Sequence, residues 1–147
     1  MIEDIYYQTD NGALPPQRAH VHDAGLDLFV KSYDLLASSA VDEPFYRRFI
    51  IDSGVHCLIP ENHVGLVLPR SSLSKAGLIF STGVIDAGYT GTIQIIATSF
   101  NKTFLPFIGQ KIAQLVITPI LTSTPIPAAV DSIKTDRGAN GFGSTGA

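Results

Sequence analysis

Short runs of β-branched and apolar residues, separated at close intervals by glycine, proline or asparagine, constrain this chain most strongly. Residues 64–68, 92–98 and 112–118 are runs of this kind, and residues 26–31 show the two-residue alternation of a strand. The nine prolines and thirteen glycines lie mostly between the runs, where turns are expected. Many short strands at this spacing predict an all-β fold, a jelly-roll-like antiparallel β-sandwich or barrel.

Two segments depart from the strand pattern. Residues 72–76 form the best helix candidate, opened by a serine and closed by Gly77. Residues 36–48 are polar and mixed in character, and we interpret them as a loop between strands. We therefore expect a single domain over residues 1–147, with one short helix and a flexible Gly-rich C-terminal arm over about residues 130–147.

Composition excludes several classes of protein. A hydrophobic content of 45% with 16% charged residues describes a globular chain with a real core. A formal net charge of −3 provides no basic field for stable nucleic-acid binding. The acidic N-terminus does not resemble a signal peptide, and no apolar run approaches the ~18 residues of a membrane span. With the single Cys57, which we interpret as buried and unreactive, we expect a reducing cytoplasm, that of its own cell or of a viral host.

The C-terminal tail combines a pliable backbone with groups that suit a nucleotide. Glycine occupies four of the ten positions in residues 137–146. Between the glycines, Arg137 could bind phosphate and the Phe142 ring could stack on a base. The hydroxyls of Ser144 and Thr145 could donate hydrogen bonds to the remaining acceptor atoms of the nucleotide. The alternative is an ordinary floppy terminus.

A second candidate is the segment of residues 69–75, which follows a strand and opens the predicted helix. Arg70, with the hydroxyls of Ser71 and Ser72, could face an anion there. The simpler interpretation is a serine that caps the helix.

Residues 83–91 are predicted to form a hairpin with Asp86 at its bend. A functional Asp86 would act as a general base for a water molecule, and Tyr89 would offer a flat face to a sugar. The alternative is that Asp86 is only an Asx-type turn residue.

Two polar residues lie inside apolar strands. Asp27 needs a hydrogen-bonded or cationic partner there, and Arg70 is one possibility. Gln114 interrupts residues 112–118 in the same way. The four histidines show no metal-binding spacing, and no GxxxxGK[ST] phosphate loop exists.

These pieces, in this order, resemble the five motifs of the trimeric dUTPase family. The motifs correspond to residues 24–28, 69–75, 83–91, 109–116 and 137–146. Ser72 stands where the family usually has glycine, and Lys111 stands where its fourth motif usually has arginine.

The resemblance implies hydrolysis of dUTP, carried with Mg²⁺ on its triphosphate, to dUMP and pyrophosphate. It implies a homotrimer in which three subunits contribute to each site. Asp86 would activate the water and Asp27 would support the site from behind, without direct metal ligands from the protein. The substrate would be bound by residues of the remaining motifs, namely Arg70, Ser71, Ser72, Gly83, Val84, Ile85, Tyr89, Gln114, Arg137, Phe142, Gly143, Ser144 and Thr145.

Two alternatives share this fold. A dCTP deaminase would carry a catalytic glutamate on the strand after the third motif, but the matching position here is Ile96. A regulatory protein built on the same scaffold could bind a protein partner through residues 38–48.

Overall fold

The computed structural model describes residues 4–40, 44–141 and 143. Within these residues, nine strands form two sheets, and all of their pairings are antiparallel. The first sheet contains β1 (Tyr6–Thr9), β3 (Ser32–Ser38), β4 (Arg47–Leu58), β6 (Leu78–Phe80) and β8 (Thr92–Ser99). The second sheet contains β2 (Leu26–Phe29), β5 (His63–Pro69), β7 (Gly83–Ile85) and β9 (Lys111–Pro119). This architecture confirms the predicted all-β, jelly-roll-like sandwich.

The core lies between the two sheets and follows from the alternation of side chains along the strands. On β8, Ile93, Ile95 and Ala97 point inward and are almost fully buried, while Gln94 and Ile96 between them are exposed. The second sheet contributes buried residues from its central strands, including Val67, Ile112 and Leu115. Each fully buried aliphatic side chain contributes about 1.5–3 kcal/mol relative to an exposed one.

The order of the second sheet positions the functional segments. Its strands run β2-β9-β5-β7, so β9 and β5 are central and β2 and β7 are the edges. Asp27 pairs with Gln114, which in turn pairs with Leu68 near the end of β5. The short helix α1 (Ser71–Lys75) follows directly, one residue earlier than the sequence predicts, and Gly77 ends it with φ +90°.

The interpretation of residues 36–48 as a loop is wrong at both ends. The β3–β4 ladder extends through the pairs Ala37–Arg48 and Ser38–Arg47, so the connection shrinks to residues 39–46. Polar side chains do not prevent a ladder whose outer face is exposed. Arg47 also donates to the carbonyls of Lys102 and Phe104, which secures this end of β4.

Beyond β9, the described residues form no further strand, in agreement with the loss of strand pattern in the sequence. Residues 120–141 contain one 3₁₀ turn, Val130–Ser132. Apolar side chains along this segment stand in solvent, with Leu121 92% and Ile126 81% exposed. Within the described chain, no helix is both long and apolar enough to cross a membrane.

Cys57 lies on β4 and is buried, as the apolar run around it predicts. Burial raises the pKa of its thiol, so the reactive thiolate is disfavoured.

Candidate functional site

One end of the second sheet carries a cleft of about 360 Å³, which we name the charged cleft. Strands β2 and β9 and the segment that follows β5 supply most of its polar groups. Asp27 comes from β2, Gln114 and Lys111 come from β9, and Arg70 comes from the residue after β5. The sheet therefore brings together residues that are up to 87 positions apart in the chain, from Asp27 to Gln114.

Asp27 is the anionic centre of the charged cleft. Its Oδ1 lies 3.5 Å from Arg70 Nε, and its Oδ2 lies 2.9 Å from Lys111 Nζ. The Asp27 side chain is only 14% exposed, so the two cations compensate its removal from water. Arg70 Nη1 also donates to the Lys111 carbonyl at 3.4 Å. Arg70 is thus the partner that the sequence suggested for Asp27, and Lys111 is a second one.

A β-bulge explains why Lys111 was missed as a site residue. The register between β2 and β9 shifts between Leu28 and Phe29, so that Phe29 faces Lys111 while Asp27 faces Gln114. Strict alternation would put positions 111 and 114 on opposite faces of β9. The extra residue of the bulge turns both side chains to the same face. The only signal in the sequence was the match of Lys111 to an arginine position of a motif.

Gln114 is fixed across the sheet and lines the charged cleft. Its Nε2 donates to the Pro69 carbonyl at 3.1 Å. A Cβ atom at Gly25 would overlap the Gln114 amide oxygen, so glycine at that position leaves room for the amide. The two contacts hold the Gln114 side chain at the floor of the cleft.

The hydroxyls of Ser71 and Ser72 line the same cleft and are exposed. The interpretation of a serine as helix cap is wrong, because the N-cap position of α1 is Arg70, with no side-chain cap hydrogen bond. Among the described residues, neither serine hydroxyl makes a hydrogen bond. Both therefore remain available to a ligand in the cleft.

The third motif is a turn that crosses between the sheets. β7 pairs with β5, whereas β8 belongs to the other sheet, so the two strands around Asp86 do not form the predicted hairpin. The Tyr89 amide donates to the Asp86 carbonyl at 3.1 Å and closes the turn. We name residues 86–91 the crossing turn.

Asp86 and Tyr89 lie on a second, smaller cleft of about 250 Å³. Asp86 is exposed, and no described residue donates a hydrogen bond to its carboxylate. Tyr89 is 44% exposed, and its hydroxyl donates to the Thr92 carbonyl at 3.0 Å. A Cβ at Gly91 would overlap the phenol, so the chain passes close under the ring only because position 91 is glycine. Val84 and Ile85 complete this wall, and Gly83 begins the strand that carries them.

The two clefts lie far apart in one chain. Ile85 pairs with Gly65, so Asp86 stands beside Val64 near the start of β5, whereas Arg70 follows the end of that strand. Six residues of strand separate the two levels, which is about 20 Å at about 3.4 Å per residue. The clefts share no lining residue.

The described part of the tail reaches neither cleft. Arg137 is exposed, and its Nε donates to the Asn140 carbonyl at 3.0 Å. Gly143 has φ +79°, a conformation that favours glycine. The predicted stacking residue Phe142 and the hydroxyls of Ser144 and Thr145 lie outside the described residues.

A few groups in the described chain have shifted pKa values. Asp10 and His56 are two of them, and they form an ion pair with each other. A hydrogen bond to the Thr90 carbonyl, followed by one to Asp10, raises the pKa of His56. The His56 hydrogen bond in turn lowers the pKa of Asp10. No three described His, Cys, Asp or Glu residues cluster in a way that could hold a metal ion.

Comparison with known proteins identifies relatives over nearly the whole chain. The dUTPase family model matches residues 12–146. A deoxyuridine 5'-triphosphate nucleotidohydrolase of Clostridium kluyveri is 41% identical, and the match covers 99% of both chains. A Pol polyprotein of equine infectious anemia virus is 41% identical over 84% of this chain. The present chain spans only about a tenth of the length of that polyprotein.

Solved structures agree with the sequence matches. The dUTPase of Staphylococcus bacteriophage 80alpha with bound dUPNHPP has a TM-score of 0.82 at 28% identity, covering 99% of this chain and 100% of that one. A mutant dUTPase from phage phi11 of S. aureus, which coordinates a structural Mg(II) ion, has a TM-score of 0.71 at 26% identity, covering 86% of this chain and 97% of that one.

Proposed function

The chain belongs to the dUTPase family, and from this premise we propose that it hydrolyses dUTP to dUMP and pyrophosphate. Such an enzyme keeps uracil out of DNA and supplies dUMP for dTTP synthesis, in the cytoplasm where these nucleotides are made. The observation that carries the proposal is the charged cleft, where Arg70 and Lys111 are braced by Asp27 beside two serine hydroxyls without hydrogen-bond partners in the described chain.

The charged cleft suits the triphosphate. Arg70 presents a planar guanidinium that can bind phosphate oxygens through two N–H groups, and Lys111 adds a compact charge. Ser71, Ser72 and Gln114 provide neutral donors around them. Because Asp27 holds both cations in place before substrate arrives, little order has to be gained on binding.

The crossing turn suits the nucleoside and the attacking water. β7 is an edge strand, so one side of its backbone at Gly83, Val84 and Ile85 is open to the hydrogen-bonding edge of uracil. The exposed ring of Tyr89 packs under the deoxyribose and excludes a 2′-hydroxyl. Asp86, with its carboxylate unengaged by described residues, accepts the proton of a water that attacks the α-phosphorus.

The separation of about 20 Å between Arg70 and Asp86 implies that each site is shared between subunits. A water on Asp86 must lie about 3 Å from the phosphorus that it attacks. The crossing turn of one subunit therefore faces the charged cleft of another. In the homotrimer that the family resemblance implies, cyclic symmetry makes three such sites equivalent. The exposed apolar residues of the segment after β9, such as Leu121 and Ile126, are consistent with burial against a neighbour.

The residues of the charged cleft fit a substrate that brings its own Mg²⁺. The cleft presents two cations and neutral donors, and its one central carboxylate is already paired. Magnesium coordinated by phosphate oxygens and water would neutralise the developing charge of the pyrophosphate leaving group. The protein residues hold the triphosphate in line with the water on Asp86.

The tail completes the site after substrate has bound. Arg137 binds the γ-phosphate, Phe142 covers the uracil, and Gly143, Ser144 and Thr145 contact the phosphates. Closure excludes bulk water from the reacting phosphorus. A dUTP analogue with a non-hydrolysable α–β bridge and Mg²⁺ should therefore slow proteolysis near Arg137, and equal rates with and without it would contradict closure.

The substrate assay tests the proposal directly. Purified protein with Mg²⁺ is given dUTP, dCTP, dTTP or UTP, and both pyrophosphate and ammonia are measured. Rapid pyrophosphate release from dUTP alone, abolished by chelation of Mg²⁺, is expected. Ammonia from dCTP without pyrophosphate from dUTP would indicate a deaminase, the alternative that Ile96 disfavours because an alkyl side chain cannot transfer a proton.

A mixed assembly tests the shared site. Asp86→Asn and Arg70→Ala chains carrying different tags are expressed together, and assemblies that retain both tags are isolated. Each variant alone is expected to be nearly inactive. In each mixed trimer, one of the three sites combines an intact Asp86 from one chain with an intact Arg70 from another, so about one third of the sites are complete. Recovery of activity supports sharing, and mixed assemblies as inactive as the parents would contradict it.

A further inference from the structure

His56 on β4 bridges two elements that meet over the outer face of the first sheet. Its Nδ1 lies 2.7 Å from the Thr90 carbonyl oxygen, and its Nε2 lies 3.0 Å from Asp10 Oδ1. Thr90 belongs to the crossing turn, immediately after Tyr89. The side chain is 29% exposed, so water competes only partly with these bonds.

The bond to Thr90 is the one side-chain hydrogen bond in the described chain that ties the crossing turn to a distant residue. The other bonds of the turn are local, between the Tyr89 amide and Asp86 and between the Tyr89 hydroxyl and Thr92. The turn otherwise depends on the strands at its two ends. Its position therefore responds to the imidazole more than to any other side chain.

Asp10 is held firmly enough to orient the imidazole. Its amide donates to the Gly54 carbonyl at 2.8 Å, and its Oδ2 lies 3.5 Å from Lys31 Nζ. A series of side-chain contacts thus connects Lys31 to the crossing turn, through Asp10 and His56 to Thr90. A carboxylate that fixes one nitrogen of a histidine determines which way the other nitrogen points.

We propose that His56 is a positioning residue that holds the crossing turn, and with it Asp86 and Tyr89, in the geometry needed for hydrolysis. The inference rests on the proposed function of that turn. A carbonyl and a carboxylate can only accept hydrogen bonds, so both bonds form together only when both ring nitrogens carry protons. The doubly protonated imidazolium is the state that satisfies this geometry.

The surroundings of the ring favour that state. The charged and titratable groups around it are Asp10, Asp52 on β4, Lys31 beyond Asp10, and the phenols of Tyr6, Tyr7 and Tyr89 that share its groove. The Thr90 carbonyl and the Asp10 carboxylate raise the pKa of His56. The bonds to Thr90 and Asp10 are therefore present together at low pH. One of the two is lost as the pH rises through the raised pKa of His56.

Two near-isosteric substitutions separate the two bonds. In His56→Asn the amide nitrogen takes the place of Nδ1 and can still donate to Thr90, without titrating. In His56→Gln the amide nitrogen takes the place of Nε2 and can reach Asp10 but not Thr90. His22→Gln removes an exposed imidazole elsewhere and serves as the control.

The experiment compares dUTP hydrolysis by the full-length chain and these variants between about pH 6 and pH 9. We expect His56→Gln to lower kcat about tenfold with KM changed less than about threefold, because misplacement of a reacting group costs turnover more than binding. His56→Asn is expected to restore most of kcat. The kcat of the wild type, relative to that of His56→Asn, should fall as the pH rises.

Hydrogen–deuterium exchange of the peptide containing residues 86–91 gives a readout that does not depend on activity. We expect this peptide to exchange about tenfold faster in His56→Gln than in His56→Asn. Equal kcat and equal exchange in the two variants would overturn the role of His56. A wild type that is inactive on dUTP, with the exchange difference intact, would overturn the proposed function and leave His56 as the residue that holds the turn.

Discussion

The charged cleft and the crossing turn hold their side chains in opposite ways. In the charged cleft, Asp27 is mostly buried and bound to two cations, and its neighbours stand on central strands of a sheet. In the crossing turn, Asp86 is exposed on a segment between sheets and has no partner among the described residues. In the cleft, the charges compensate one another. The turn leaves its carboxylate free to act on a ligand.

Stability and activity therefore depend on different regions of the molecule. A carboxylate that is already paired with two cations has both oxygens engaged within the protein. A group on an exposed turn is open to a ligand but needs other contacts to fix its position. Substitutions in the cleft should therefore affect both stability and activity, and substitutions in the turn should affect mainly activity.

The largest expected effect comes from Asp86→Asn. Asparagine keeps the shape of the side chain but cannot accept the proton of water, so kcat should fall on the order of 10²–10⁴-fold. The melting temperature should stay unchanged because the carboxylate has no partner to lose within the described chain. Steady-state kinetics and thermal unfolding check both statements.

Asp34→Asn is the matched control, since Asp34 is an exposed aspartate on β3 that lines neither cleft. It should leave kcat and melting temperature as they are. Near-normal turnover in Asp86→Asn would show that Asp86 is only a turn residue.

A smaller effect on turnover, with a loss of stability, is expected for Asp27→Asn. The substitution leaves Arg70 and Lys111 close together without their anion. Losing these two ion pairs, which lie between the exposed and the fully buried cases, costs about 1–3 kcal/mol and should lower the melting temperature by several degrees. Misplaced cations should lower kcat about tenfold.

Asp23→Asn provides the comparison, because Asp23 lines the same cleft but pairs with His20. Asp23→Asn removes one negative charge from the cleft, as Asp27→Asn does, but leaves the ion pair between Arg70 and Asp27 intact. If both variants lost the same activity, the net charge of the cleft would explain the effect, and the bracing of Arg70 by Asp27 would not.

The smallest effects come from a pair of glycines, Gly25→Ala and Gly91→Ala. Each new methyl group would overlap one polar side chain, that of Gln114 or of Tyr89. Gln114 is tied to Pro69 within the sheet, so overpacking there should cost about 1–3 kcal/mol of stability. Tyr89 is 44% exposed and can swing outward, so Gly91→Ala should mainly raise KM for dUTP, about threefold.

Melting curves and kinetics of the two variants sharpen the comparison between the regions. A large loss of stability in Gly91→Ala, or none in Gly25→Ala, would show that the turn is as tightly packed as the cleft.

The sequence alone determined the local features of this protein. The two-residue alternation predicts the strands, the spacing of glycine and proline predicts the turns between them, and an aspartate inside an apolar strand predicts a cationic partner. All of these depend on residues close together in the chain or on the general cost of burying a charge. The resemblance of five motifs in order then pointed to the family, which the comparisons confirm.

The tertiary structure decided which elements meet. Alternation carries no information about a strand's partner, so it could not show that β7 and β8 belong to different sheets. It also could not show the bulge that turns Lys111 toward Asp27, or the bridge from His56 to Thr90. Pairings of this kind form across dozens of residues and are selected by the packing of the whole core. For the same reason, only the register of β5 and β7 reveals that Asp86 and Arg70 lie about 20 Å apart in one chain.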